Sequence, residues 1–225
     1  TIQKVILPTF SRLQSETSSL RQAFYSSTSL LNFFAFPVFA AMSLLAPQLV
    51  ILLFGEQWIP SILPMQILAL VGIIDSAAYF SGPVFMAKGK PDVLFKLLLI
   101  HTVTSAVAFL GIVSQGLVAI AVARVATTSI LFVIGLVLLK NLISLDLKHY
   151  FKSLAGIMVS TLLMGISIIL TNWLGNNYFN DLVLLVTCSV IGTITYLASM
   201  TLLEPQLIRK LYSLSKIALP IQASS

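Results

Sequence analysis

Leu117-Val118-Ala119-Ile120-Ala121-Val122-Ala123-Arg124-Val125-Ala126-Thr127-Thr128-Ser129-Ile130-Leu131-Phe132-Val133-Ile134-Gly135-Leu136-Val137-Leu138-Leu139 is apolar throughout except for one cation and three hydroxyls, and Lys140 closes it. A helix rises 1.5 Å per residue, so about 20 mostly apolar residues cross the hydrocarbon of a bilayer. The run is therefore a spanning helix that carries an arginine at membrane depth. Outward from it, five more runs have the same character. They cover Tyr25 to Leu45 (prolonged past Pro47 by Leu49 to Phe54), Ile62 to Phe85, Val93 to Val113, Leu154 to Leu174 and Leu182 to Leu203. The fold class read from this pattern is an all-α integral membrane protein of six transmembrane helices.

Composition leads to the same class. Apolar residues make up 58% of the chain and charged residues 9%, with mean hydropathy +1.01. A water-soluble domain of this length needs far more polar surface. The net charge of +6 is explained by where the cations fall. Lys4, Arg12 and Arg21 precede the first span; Lys88, Lys90 and Lys96 flank the turn after the second; Lys140, Lys148 and Lys152 follow the fourth; Arg209, Lys210 and Lys216 follow the sixth. The alternate gaps, holding Glu56, Ser114-Gln115-Gly116 and Asn176-Asn177-Asp181, contain no cation. By the positive-inside rule both ends of this chain are expected in the cytoplasm, against anionic headgroups and not against nucleic acid. Trp58, Trp173, Tyr178 and Phe179 fall at the opposite ends of the spans, where aromatic anchors belong. The expected organisation is a cytoplasmic segment (1–24), a four-helix part (25–139), an amphipathic linker (140–153), two further spans (154–203) and a cytoplasmic tail (204–225), disordered after Pro220. In the linker Ile143, Leu147, Tyr150, Phe151 and Leu154 share a helical face, which predicts a helix lying along the inner leaflet. Leu207, Ile208, Leu211, Tyr212 and Ser215 repeat the pattern more weakly. The chain opens on Thr1, no signal-peptide pattern is read in its first residues, and a longer protein is expected around it.

Several polar groups lie within the spans. Arg124 is about 11 Å and Asp75 about 20 Å along their helices from the outer ends. An ionised side chain at such depth costs at least about 2.5–3.5 kcal/mol on insertion scales, so both are expected to face an interior or a wet cavity. Arg124 suits an anionic group such as phosphate, with Asp75 tuning it or carrying a coupling proton; alternatively the two form a buried pair that fixes helix register. Thr127 and Thr128, one turn past Arg124, and Tyr79, one turn past Asp75, are placed to line the same cavity or to serve in packing. His101 is a proton site or, with Thr102, Thr104 or Ser105, a helix contact. Pro37 should kink the first span, and Gly82-Pro83 should break the second near its inner end; these are the candidate hinges. Cys188 stands alone in an apolar run, and no His pair has metal-ligand spacing. No nucleotide loop, cofactor motif or catalytic set is present, so neither an enzyme nor a metal or cofactor site is expected.

Short motifs then add a resemblance. Leu7-Pro8-Thr9-Phe10-Ser11-Arg12-Leu13-Gln14, Pro37-Val38-Phe39, Leu53-Phe54-Gly55-Glu56-Gln57-Trp58 and Ala87-Lys88-Gly89-Lys90-Pro91 resemble, in order and spacing, segments of bacterial polysaccharide-biosynthesis flippases. These are the Wzx-type proteins of the multidrug/oligosaccharidyl-lipid/polysaccharide exporter superfamily. The likeness covers about residues 5 to 150, and Gln57 stands where family members often have Lys. The resemblance implies a protein of about twelve to fourteen spans in two pseudo-symmetric lobes, of which this chain is most of the second plus two extra helices. Its partners would be membrane lipid, a lipid-linked oligosaccharide carrying polyprenyl pyrophosphate, and an N-terminal lobe of the same protein. A cation-coupled drug exporter using Asp75, and a non-transporting assembly subunit, are the alternatives.

Overall fold

The computed structural model describes residues 10, 13 and 16–210. The motif at 7–14, Lys4, Arg12, Lys216, most of the second amphipathic pattern and the tail after Pro220 lie outside or largely outside the described residues. Eight α-helices run in order among those described: α1 (Thr17–Leu44), α2 (Ala46–Phe54), α3 (Ile62–Ala78), α4 (Ser81–Ala87), α5 (Pro91–Ile112), α6 (Leu117–Ile143), α7 (Leu147–Gly175) and α8 (Asp181–Leu203). Short 3-10 turns at Glu56–Ser61 and Val113–Gln115 complete them, and no strand occurs among the described residues. Six segments are long and apolar enough to cross a membrane, the second being the 3-10 turn, α3 and α4 taken together. The chain is an all-α integral membrane protein.

Local chemistry explains the ends. Asp146 and Asn180 cap α7 and α8 by accepting from the N–H of Lys148 at 2.9 Å and of Val183 at 3.0 Å. Gly55 (φ 89°, ψ 169°) and Gly116 (φ 92°, ψ 175°) turn the chain into the second and fourth spans through a backbone region essentially closed to other residues. The expected kink at Pro37 and the expected break at Gly82-Pro83 fall in differently built helices. α1 is continuous through Pro37 and ends at Leu44, just before the proline at Pro47. The second span breaks at Tyr79-Phe80. Tyr79 is four residues before Pro83, where the proline both lacks a donor and crowds the carbonyl. The stretch 140–153 is not a separate surface helix. It is divided between the end of α6, a turn at Ser144-Leu145-Asp146, and the first turns of α7, which runs on without interruption to Gly175.

In space the long helices form a row: α8 packs on α7, α7 on α1, α1 on α3, α3 on α6, and α6 on α5. Close approaches use small residues, as expected where hydrophobic burial gives no net drive. A Cβ added to Gly72 of α3 would overlap the Phe39 ring of α1, and one on Gly192 of α8 would come within 2.9 Å of Ile168 in α7. A buried polar link also joins α1 and α3. Ser76 donates to Asn32 Oδ1 at 2.7 Å, and Asn32 Nδ2 donates to the Thr28 carbonyl at 2.8 Å.

One end of the row is tied together by cations and a tyrosine. Arg21 donates to the carbonyl of Ser144 at 2.9 Å and, at 3.4 Å, to that of Ile143, the last residue of α6, where a positive charge meets the negative end of the helix dipole. Lys88 Nζ donates to Thr17 Oγ1 at 2.7 Å. The Tyr25 hydroxyl donates to the Asp146 carbonyl and accepts from its N–H. The start of α1, the α4–α5 turn and the α6–α7 turn therefore share one end. Near the other, Gln48 of α2 bonds Asn172 of α7 at 3.0 Å, beside the exposed Trp173.

Candidate functional site

α5 reaches the rest of the chain mainly through α6, with a lesser contact to α4, and none of its residues is buried. The α5–α6 contact nevertheless carries the most charged group at membrane depth. Arg124 of α6 extends one guanidinium nitrogen to His101 Nε2 at 2.6 Å and to Ser105 Oγ at 2.9 Å, both on α5. A guanidinium has donors only, so Nε2 must supply a lone pair. That fixes His101 as a neutral imidazole with its proton on Nδ1. Both partners of Arg124 are thus uncharged, and the arginine keeps its full positive charge.

The expected pairing with Asp75 is not the arrangement found. Among the described residues Arg124 bonds α5, while Asp75 is exposed on α3 and lines a cavity of about 460 Å³ with Tyr79, His101 and Thr128. Arg124 and Thr127 line a neighbouring cavity of about 370 Å³ with Ser105 and Leu68. His101 belongs to the first cavity and touches Arg124 in the second, so the six polar positions read from the sequence fall into two adjoining compartments joined at that contact. The threonines differ. Thr127 Oγ1 bonds back to the carbonyls of Ala123 and Arg124, both at 3.0 Å. Thr128 is buried in the first cavity's wall and its hydroxyl has no partner among the described residues. Thr102 and Thr104 also bond back to their own helix, so the α5–α6 polar contact is made by His101 and Ser105. Gly82 and Pro83 line the first cavity at the α3–α4 break. Pro37 lies elsewhere, facing a third apolar cavity bounded by α1, α7 and α8.

Asn32, Ser76, Tyr150 and Tyr196, which make buried bonds between helices, were missed by reasoning from the sequence. The one available signal was indirect: each proline in a span leaves a carbonyl that needs a donor from elsewhere. No group of three or more His, Cys, Asp or Glu is assembled for a metal among the described residues.

A six-span membrane protein with a cation held at depth by neutral groups is the class that fold and site define. Comparison with known proteins narrows it. Residues 1–63 match the family profile described as polysaccharide biosynthesis protein. The chain is 28% identical over 169 residues to the teichuronic acid biosynthesis protein TuaB of Bacillus subtilis (strain 168), covering 73% of this chain and 34% of TuaB. It is 34% identical over 95 residues to the lipopolysaccharide biosynthesis protein WzxC of Escherichia coli (strain K12), covering 42% of this chain and 19% of WzxC. An uncharacterised membrane protein in the cps region of Klebsiella pneumoniae is 29% identical over 91 residues, 40% of this chain and 19% of that protein. No solved structure matches. Over these stretches the chain is similar to polysaccharide-biosynthesis membrane proteins of the Wzx type. Its matches span about a third of the length of TuaB and a fifth of the other two.

Proposed function

We propose that this chain is part of a flippase that carries a polyprenyl-pyrophosphate-linked oligosaccharide across the bacterial cytoplasmic membrane and does no covalent chemistry itself. The observation that carries this is the unneutralised charge of Arg124. Two neutral partners orient the guanidinium without cancelling it, so the electrostatic attraction for an anionic headgroup is retained at a depth where water screens poorly. The biosynthetic names of the relatives agree with a cell-surface polysaccharide pathway. In this reading the four-helix part, 25–139, belongs to the second of two lobes, and the cavities flanked by Asp75, Tyr79, His101, Arg124, Thr127 and Thr128 face the other lobe. The end tied by Arg21 and Lys88 faces the cytoplasm, where positive loops are retained.

The test is headgroup selectivity in the full-length protein reconstituted in nanodiscs. Arg124→Gln should weaken binding of a polyprenyl pyrophosphate at least about tenfold and leave binding of the uncharged polyprenol unchanged. Equal losses for the two lipids would mean that Arg124 does not read the phosphate.

A further inference from the structure

Two spans with an open backbone acceptor, α1 at Pro37 and the broken α3–α4 span, receive a hydrogen bond from α8 and α7. Pro37 has no N–H, so the carbonyl of Phe33, four residues earlier in α1, loses its helical donor. The hydroxyl of Tyr196 in α8 donates to that carbonyl at 2.6 Å. Tyr196 is 4% exposed and its ring lies 5.6 Å from that of Phe33. The α3–α4 break is answered in the same way. α3 ends at Ala78, and the carbonyl of Ala77 is among the last-turn acceptors that a helix end leaves open. The hydroxyl of Tyr150 in α7 donates to it at 3.0 Å. Tyr150 is completely buried and its ring stacks on Phe24 of α1 at 5.9 Å.

We infer that α7 and α8 are a brace, in which the hydroxyls of Tyr196 and Tyr150 stand in for the helical donors missing at Pro37 and at the α3–α4 break and so hold α1 at its proline and the broken span in one conformation. Among the described residues, these are the inter-helix bonds that tyrosines in α7 and α8 make, and each ends on a carbonyl freed by a proline or a helix break. In hydrocarbon no water is present to take over an abandoned carbonyl. Bending of α1 at Pro37, or movement at the α3–α4 break, must therefore break a tyrosine bond or move the bracing helix with it. The last two spans, which bring no charged group to the Arg124 cavities, are thereby given a mechanical role.

The experiment is a double-mutant cycle read by hydrogen–deuterium exchange on the full-length protein in nanodiscs without cargo. Tyr196→Phe keeps the ring and removes the donor, and should speed exchange of the amides flanking Pro37 about fivefold, the equivalent of one net hydrogen bond. In a Pro37→Ala background the helix supplies its own N–H to Phe33, and Tyr196→Phe should then change exchange less than about twofold. Tyr150→Phe should loosen residues 78–85 and leave the Pro37 region unchanged. No acceleration by Tyr196→Phe, or the same acceleration with Ala at position 37, overturns the brace. Exchange is read without cargo, so the outcome stands apart from whether the headgroup test succeeds.

Discussion

Removing the intramembrane guanidinium should strengthen the fold while disabling the protein, and the opposite signs make this a sharp test. Consider Arg124→Leu. A lysine or arginine near the middle of a spanning helix costs about 2.5–3.5 kcal/mol on insertion scales, and Leu removes that cost. Against it stand two interhelical bonds, to His101 and Ser105. Such bonds average about 0.6 kcal/mol each in membranes, roughly 1.2 kcal/mol together. The net expectation is a gain of about 1–2 kcal/mol. Transport moves the other way. A phosphate about 4 Å from a guanidinium is attracted by up to about 4 kcal/mol at an effective dielectric of 20, so losing the charge should slow transport by as much as about a thousandfold. The assay pairs thermal unfolding of the purified full-length protein with flipping of a fluorescent lipid-linked oligosaccharide in proteoliposomes. Unfolding temperature should hold or rise while flipping collapses. If the variant instead unfolds several degrees lower, and flipping falls only in proportion to the folded protein remaining, Arg124 is a structural contact and its assignment to the headgroup fails.

Three further outcomes follow from other parts of the structure. Nitrogen-15 spectra of the His149→Asn protein, in which His101 is the remaining histidine of this segment, should show an unprotonated Nε2 and a protonated Nδ1 at neutral pH; a proton on Nε2 would contradict the Arg124 contact. Gly192→Leu should push α8 off Ile168 in α7 and destabilise the protein by about 1–3 kcal/mol, as overpacking does, seen as a lowered unfolding temperature; an unchanged value would refute the close approach. Single cysteines at Lys90 and Trp58 should react with a membrane-impermeant maleimide from opposite faces, cytoplasmic for position 90, against the silent background of fully buried Cys188; labelling of both from one face would undo the topology.

Hydrocarbon solvent makes the class of this protein legible in one dimension. Backbone groups must be bonded within the protein, nearly all of them inside their own helix, so the length of each apolar run gives a span almost directly, and the six expected segments and the six found agree within the ends. Cations cannot cross freely, so their spacing predicts a shared end, and the bonds of Arg21 to Ser144 and Lys88 to Thr17 bring three of the cation-bearing segments together there. The amphipathic face at 143–154 was legible as a pattern but not as a location. Leu154, Tyr150 and Ile143 are buried in the helix core while Phe151 of the same face is exposed, because periodicity reports that a face is covered and not by what.

The sequence by itself determined a chain of six oil-facing helices with an arginine, an aspartate and the prolines Pro37 and Pro83 at depth. Tertiary structure alone decided who meets whom. Arg124 turns to His101 and Ser105 rather than to Asp75, and Tyr196 and Tyr150 reach the Phe33 and Ala77 carbonyls across 163 and 73 positions of chain. The physical reason is that hydropathy fixes how deep a residue sits, whereas its partner depends on the rotation and neighbour of each helix, set by close packing at residues such as Gly72 and Gly192.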